Sequence, residues 1–384
     1  MKKKIIFVTE ALWIGGIETA LVNLLKSLDY KKYDVTCLIL RNDQTMAPQL
    51  PKQVRLLVAD RDGAVSFQAS YRYARFCHLT EESSNPSRLH KAMMWAVPAI
   101  KWVENRLYIR YIRENLKNEH FDTCAIYSDR AAEAAVRGIR ADQYLMFYHH
   151  GAMRREYHDE IGYRKSEKII AVSHAVEQKL QAFRPAYAHK MMTLHNLTDV
   201  EGIRQKAEEP IDEVFSSDRF HVVSCGRVAR EKGMDLAVEA CAELVAQGHN
   251  IHWWIVGGGP AEQEVRDKIA ELGMENHVTV LGMKNNPYPY IKCADLYVQP
   301  SRVESYGLTI TEAMVLEKPI ISTDTDGARV LAELEPALCL CEGTSERIAS
   351  AVAGFLTKGG FPAASGNAVE MENRRIQAQL EMLL

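Results

Sequence analysis

Short runs of β-branched and other apolar residues alternate along this chain with stretches whose apolar positions recur every three or four residues. That alternation predicts parallel sheets built from βαβ units, because a parallel partner strand is reached only through a crossover, usually a helix. In the first half the strand-like runs are "KIIFVT" from Lys4, "DVTCLIL" from Asp34, "VRLLVA" from Val54, "DTCAIYS" from Asp122, "YLMFYH" from Tyr144, "KIIAVS" from Lys168 and "KMMTLH" from Lys190. The stretch 199–219, "DVEGIRQKAEEPIDEVFSSDR", is polar and acidic, carries Pro210 and reads as a linker. A second series follows: "FHVVSCG" from Phe220, "IHWWIVG" from Ile251, "HVTVLG" from His277, "ADLYVQ" from Ala294, "KPIIST" from Lys318 and "ALCLC" from Ala337. Residues 1–198 and 220–365 are therefore expected to form two α/β domains. The tail 366–384 has helical periodicity and either closes the second domain or crosses back to the first.

Length supports the division, since 384 residues exceed the size at which one core stops growing. A composition of 47% apolar and 25% charged residues with a net charge of −3 is that of a globular chain and points to no nucleic acid partner. The eight cysteines, at 37, 77, 124, 225, 241, 293, 339 and 341, contain no CxxC pair or zinc spacing, so reduced and mostly buried thiols are expected. The start "MKKKIIFVTE" has too short an apolar run for a signal peptide, and no segment reaches the roughly 18 apolar residues of a membrane span. A cytosolic chain is the expectation.

In doubly wound sheets ligands bind beyond the carboxyl ends of the strands, so the loops there carry the candidate chemistry. Gly15 and Gly16 in "TEALWIGGIETALVNLL" join the first strand to a helix, where backbone can approach a ligand or simply turn. Neither that loop nor "IVGGGPAEQEV", with Gly257 first and Glu262 where the last glycine belongs, matches the dinucleotide fingerprint. A nicotinamide dehydrogenase is thereby disfavoured. In "VSCGRVAREKGMDLAVEACAEL" a strand runs into Gly226 and then Arg227, Arg230 and Lys232, a cationic cluster that suits a phosphate or forms a solvated basic loop. In "PSRVESYGLTITEAM" Glu304 and Glu312 flank a turn leading into a helix expected from about Leu308 to Glu317. If Thr309 caps that helix, Glu312 completes a capping box; otherwise its carboxylate is available to a hydroxyl pair such as a ribose diol.

Taken in order, these motifs resemble the retaining glycosyltransferases of family 4, which have the B-type fold of two Rossmann-like domains facing a cleft. "PSRVESYGLTITEAMVLEKPIIST" is similar to that family's E-x7-E stretch, "GRVAREKGMDLAVEA" to its G-R-x-x-x-x-K-G-x-D stretch, and "WWIVGGGPAEQEVRDKIAELGMENHVTVLG" to the strand, Gly-Pro turn and helix that follow. In the first half the likeness is looser: "GGIETA", "FYHHG" and "IIAVSHAVEQ".

The resemblance implies that Arg227 and Lys232 hold the diphosphate of a nucleotide-sugar donor, most simply UDP-linked, with the backbone of Tyr306, Gly307 and Leu308 assisting. It places Glu312 on the ribose hydroxyls and Glu304 on the transferred sugar near the reacting carbon. It puts a histidine after the fifth strand beside that sugar, a place that either His149 or His150 could fill, with His150, next to Gly151, preferred. Gly16 and Gly257 would let backbone approach the donor, and Met283 and Lys284 would offer backbone groups to the base. No metal is required on this reading, because fixed cations neutralise the leaving group. Asp324-Thr325-Asp326 imitates the D-x-D metal motif of the other large glycosyltransferase fold and is read as a decoy. The chain departs from the family in "DTDGARVLAEL", with a single Gly327 and with Arg329-Val330 where acidic character is expected.

The expected acceptor is a glycan or a lipid-linked saccharide. Residues 88–117 hold seven Lys/Arg against two Glu among Met93, Met94, Trp95, Trp102, Tyr108 and Tyr111, the character of a helix lying on an anionic membrane, or of a helix pair packed on the sheet. Two other functions stay open: a non-catalytic sugar-nucleotide-binding partner of a transferase, and a nucleotide-sugar epimerase of the same fold.

Overall fold

The structure, a computed structural model, describes residues 1–60, 97–151, 153, 159–213, 215–357, 359–360 and 362–384. It divides into two compact units, Met1–Thr193 with Leu384, and Leu194–Leu383.

In the first unit the elements are β1 (Lys3–Thr9), α1 (Gly16–Ser27), β2 (Tyr33–Ile39), β3 (Arg55–Val58), α2 (Val97–Asn115), β4 (Phe121–Ile126), α3 (Ala132–Gly138), β5 (Ala141–Tyr148), α4 (Glu160–Lys165), β6 (Lys168–Ala171), α5 (His174–Phe183) and β7 (Met191–Thr193). Its sheet has the order β3-β2-β1-β4-β5-β6-β7, every pair parallel. Ile5, Ile6, Phe7 and Val8 of the central β1 are all 0% exposed, as expected of a strand covered on both faces. The order reverses between β1 and β4, so the loops after these two strands flank the switch point where ligands of such sheets bind.

The second unit contains α6 (Val200–Lys206), β8 (Phe220–Cys225), α7 (Met234–Ala246), β9 (Ile251–Val256), α8 (Glu262–Glu271), β10 (Val278–Gly282), α9 (Tyr288–Cys293), β11 (Leu296–Gln299), α10 (Leu308–Val315), β12 (Ile320–Thr323), α11 (Asp326–Leu334), β13 (Cys339–Cys341), α12 (Ser345–Thr357) and α13 (Gly366–Leu383). Its parallel sheet runs β10-β9-β8-β11-β12-β13, and the switch point lies between β8 and β11. Trp253, Val222, Leu296, Ile321, Leu244 and Val352 meet in its core.

Residues 199–219 are more than the linker expected of them, because they contain α6. Asp199 caps that helix through the Gly202 amide at 3.1 Å, and Val200 and Ile203, three apart on one face, are buried. Polar neighbours in the sequence hid this short apolar face. The tail helix α13 packs within the second unit through Val369, Ile376 and Leu380. The Asn373 side-chain amide donates to Thr198 O (2.8 Å) and its oxygen accepts from Thr198 N (3.1 Å), while Arg204 pairs with Glu370 at 2.9 Å. Cys77 lies outside the described residues. Cys37, Cys124, Cys225 and Cys241 are buried free thiols, Cys37 pushed up to about 12 by burial, whereas Cys293 is exposed.

Candidate functional site

The switch point of the second unit brings together the loop after β8 and the loop after β11. A turn at Arg230–Lys232 leads into Gly233, whose φ of +64° only glycine adopts readily, and a Cβ there would lie 2.0 Å from Pro300 O. The close approach of backbone lets Lys232 reach Glu304, Nζ to Oε1 at 2.6 Å. Glu304 is only 7% exposed, so this is a charge-assisted pair at the edge of the protein interior.

Glu304 is held from below as well. Its Oε1 also accepts from Ser301 Oγ at 2.8 Å and from Gln299 Nε2 at 3.4 Å. Gln299 and Ser301 are buried, and Gln299 Nε2 donates to Ser301 Oγ at 2.8 Å. The amide oxygen of Gln299 accepts from Tyr297 OH (2.5 Å) and Thr309 Oγ1 (3.0 Å). Sequence reasoning missed Gln299. Its only signal was its place two residues before Ser301 of the E-x7-E stretch.

The helix α10 begins at Leu308 with Gly307 as N-cap, in the left-handed region at φ 94° and without a side-chain cap. Thr309 is thus inside the helix, its hydroxyl on Gln299, and the capping-box alternative for Glu312 does not hold. The first amides of the helix are left for a ligand or solvent. Glu312 is buried, and burial pushes its carboxyl up to about 7, against the opposing hydrogen bond from Tyr288 OH (3.3 Å) and the charge of Lys206. The buried Tyr297 hydroxyl lies within electrostatic reach of both Glu304 and Glu312.

The remaining expected residues of this unit are placed less directly. Arg227 has a mostly exposed side chain paired with Glu231, one turn on. Gly257 has φ +151°, and a Cβ there would sit 1.8 Å from Gly226 O; its amide bonds Gly282 O at 2.9 Å, so it serves the crossing of the β8 and β9 ends. Met283 is 53% exposed. The Lys284 ammonium is 2.7 Å from Glu213 Oε1 and is held at about 12 by that hydrogen bond and by Tyr290. Asp324 of the D-x-D imitation is gripped by the Arg329 guanidinium at 2.6 and 2.9 Å, which explains the cation where acidic character was expected.

Gly16 and His150 belong to the first unit. Gly16 opens α1 with open space beside it. The two histidines after β5 differ sharply. His149 packs against Tyr127 with ring centroids 4.6 Å apart, its Nε2 is buried without a partner, and burial, then the neighbouring His150, lowers it to about 3. His150 is half-buried, with Nε2 3.4 Å from Oδ1 of the buried Asp129. Burial alone would raise Asp129; the hydrogen bond and charge of His150 outweigh it and hold the carboxyl low. Sequence reasoning missed Asp129, and also Glu18, a buried carboxyl in the first turn of α1 raised to about 8 by burial and by Glu10 and Asp43. Among the described residues no group of His, Cys, Asp and Glu is arranged to hold a metal ion.

Residues 205–372 match the family model described as glycosyl transferases group 1. This region belongs to that family. The group 1 region lies wholly in the second unit and contains Lys232, Glu304 and Glu312. The chain is 35% identical over 118 residues to an alpha-D-kanosaminyltransferase of Streptomyces kanamyceticus, covering 30% of this chain and 31% of that protein. It is 30% identical over 171 residues to the N-acetylgalactosamine-N,N'-diacetylbacillosaminyl-diphospho-undecaprenol 4-alpha-N-acetylgalactosaminyltransferase of Campylobacter jejuni, covering 44% of this chain and 45% of that one. The chain therefore spans less than half the length of either curated relative. A crystal structure of Anabaena HepE in complex with UDP-glucose superposes with a TM-score of 0.70 at 18% identity over 99% of both chains. The group 1 region is thus set in the B-type glycosyltransferase fold of two Rossmann-like domains.

Proposed function

We propose that the chain is a retaining glycosyltransferase that moves a sugar, of hexose type, from a UDP-linked donor to a glycan or lipid-linked acceptor, with no divalent ion. The observation that carries this is the Lys232–Glu304 pair at the switch point, beside the uncapped start of α10 and the buried Glu312. Cleaving the sugar from a nucleoside diphosphate builds positive charge on the anomeric carbon and negative charge on the departing phosphate. Lys232, Arg227 and the first amides of α10 stabilise the phosphate, each cation giving up its present carboxylate, Glu304 or Glu231, to do so. Freed from Lys232, Glu304 faces the sugar, and Glu312 takes the ribose diol. Backbone of Tyr306, Gly307 and Leu308 lines the diphosphate, and that of Met283 and Lys284 the base; the first unit's own candidates are His150 and the Gly16 loop. The acceptor oxygen bonds the anomeric carbon on the face the diphosphate leaves, and its proton passes to that diphosphate.

Two names among the similar proteins support this reading: HepE was solved with UDP-glucose, and the Campylobacter relative is named for a diphospho-undecaprenol acceptor. A role in bacterial surface-polysaccharide assembly is part of the same proposal. The test is release of UDP from UDP-sugars, with and without a chelator. Release that depends on Glu304 and survives the chelator supports the reading; loss with chelator overturns metal independence. UDP binding with no release from any UDP-sugar would make the chain a sugar-nucleotide-binding partner instead.

The same proposal places the protein in the cytosol with peripheral membrane contact. Trp102, Val103 and Leu107 of α2 are 49%, 49% and 41% exposed, beside Arg106, Arg110 and Arg113. Residues 88–96, with Met93, Met94 and Trp95, lie outside the described residues. No helix among the described residues is long and apolar enough to cross a membrane. Flotation with anionic but not zwitterionic liposomes supports the contact, and protein left at the bottom of the gradient at low salt removes it.

A further inference from the structure

We infer that Gln299 is a positioning residue, one that fixes the orientation of the Glu304 carboxylate through a one-way chain of hydrogen bonds. This rests on the reading of Glu304 as the group that faces the sugar.

The chain has a fixed direction because its members differ in what they can donate. A carboxamide offers an acceptor on one side and two donors on the other. The oxygen of Gln299 is occupied by two hydroxyls, Tyr297 OH at 2.5 Å and Thr309 Oγ1 at 3.0 Å. Its nitrogen must then point to Ser301 Oγ at 2.8 Å and to Glu304 Oε1 at 3.4 Å. Ser301 Oγ, accepting from Gln299, spends its one proton on Glu304 Oε1 at 2.8 Å. A flipped amide would set its nitrogen against the two hydroxyls and its oxygen against a carboxylate. Tyr297 and Gln299 are 0% exposed and Ser301 1%, so bulk solvent does not reach the arrangement. β11 carries Tyr297 and Gln299, and α10 carries Thr309, so sheet and helix both lock the amide.

The purpose of such a lock follows from Lys232. Three donors meet at Glu304 Oε1, and Lys232 at 2.6 Å is the one that a diphosphate would draw away. Ser301 and Gln299 are uncharged and buried and stay behind. They keep the carboxylate in place at the moment its cation leaves, which is when the sugar needs it.

The probe for the test is whichever of UDP-glucose, UDP-galactose and UDP-N-acetylglucosamine raises the melting temperature of the full chain most. Gln299→Glu keeps the acceptor for Tyr297 and Thr309 and the shape of the side chain, and removes the donor. Turnover of the probe at neutral pH is expected to fall about 10- to 100-fold. The added carboxylate beside Glu304 makes the pair share a proton, so the acid limb of the pH–turnover profile moves to higher pH. A melting-temperature rise with UDP alone is retained, because on this reading Arg227, the first amides of α10 and Glu312 still hold UDP. Thr309→Val, which frees the amide on one side only, gives a smaller loss in the same direction. Unchanged turnover and an unmoved pH profile in Gln299→Glu, with Glu304→Gln inactive, overturn the positioning role alone. Full turnover in Glu304→Gln overturns it together with the reading it rests on.

Discussion

The two units are built on the same plan, a parallel sheet with its switch point beside the first strand of the unit, yet they treat buried polar groups differently. Among the described residues, the buried side-chain atoms without a partner are Tyr108 OH, Asp129 Oδ2, His149 Nε2, Tyr163 OH, Ser166 Oγ and Arg184 Nε, all in the first unit. In the second unit the equivalent edge is closed on itself: Tyr297, Gln299, Ser301, Thr309, Glu304 and Lys232 form one continuous network. An unsatisfied buried group costs about 1–3 kcal/mol, so the first unit holds a reservoir of unspent hydrogen-bonding capacity that the second lacks.

Four experiments break or sharpen that contrast. Lys232→Ala should remove most UDP release, by at least about 100-fold, with the melting temperature little changed; retained activity with an unchanged KM would break the assignment of the second unit to the donor. Gly233→Ala forces a Cβ into Pro300 O, 2.0 Å away, in a left-handed conformation. It should cost about 1–3 kcal/mol, seen as a melting temperature several degrees lower, and an unaltered melting curve would show that the two loops are not clamped.

The third experiment is a pH series. Glu312 titrates near 7 when folded, above its ordinary value, so its contribution to stability is fully present below about pH 4.5 and is lost as the pH rises through about 7. UDP, bonded by the ionised form, should bind more tightly as the pH rises across the same range, and Glu312→Gln should flatten both trends. A UDP affinity independent of pH would place the ribose elsewhere. The smallest effect belongs to the first unit. His149→Phe removes a nitrogen that has no partner and keeps the ring against Tyr127, so stability should rise by up to about 1 kcal/mol. A fall in stability, or a loss of turnover matching that of His150→Phe, would mean that the orphaned nitrogen is reserved for a ligand.

The same contrast governed what could be read in advance. All the strands of both sheets lie on the apolar runs of the sequence, because strands buried on both faces leave an unbroken apolar signature. Lys232 and Glu304 each stood out in a loop beyond a strand, but their meeting at 2.6 Å is something the fold adds. Gln299 was not legible, since its role depends on three hydroxyls brought from β11, its following loop and α10, a meeting that only the fold arranges. The cap of α10 was left between two readings for a related reason. Gly307 takes the N-cap position in a left-handed conformation, and the Thr309 hydroxyl turns to Gln299 instead. In the first unit, His149 and His150 are neighbours that the sequence does not separate; the fold gives one an aromatic neighbour in Tyr127 and the other a partner in Asp129.

Asn373 grips Thr198 from both sides of its peptide unit, at 2.8 and 3.1 Å, and Glu370 holds Arg204. The end of the polypeptide thereby staples the segment with which the second unit begins. Anyone building hybrids by exchanging this half between relatives must move residues 194–383 as a single cassette. A graft that joined at Thr193 but kept the host's own terminal helix would mismatch both halves of that staple, however well the two sheets agreed.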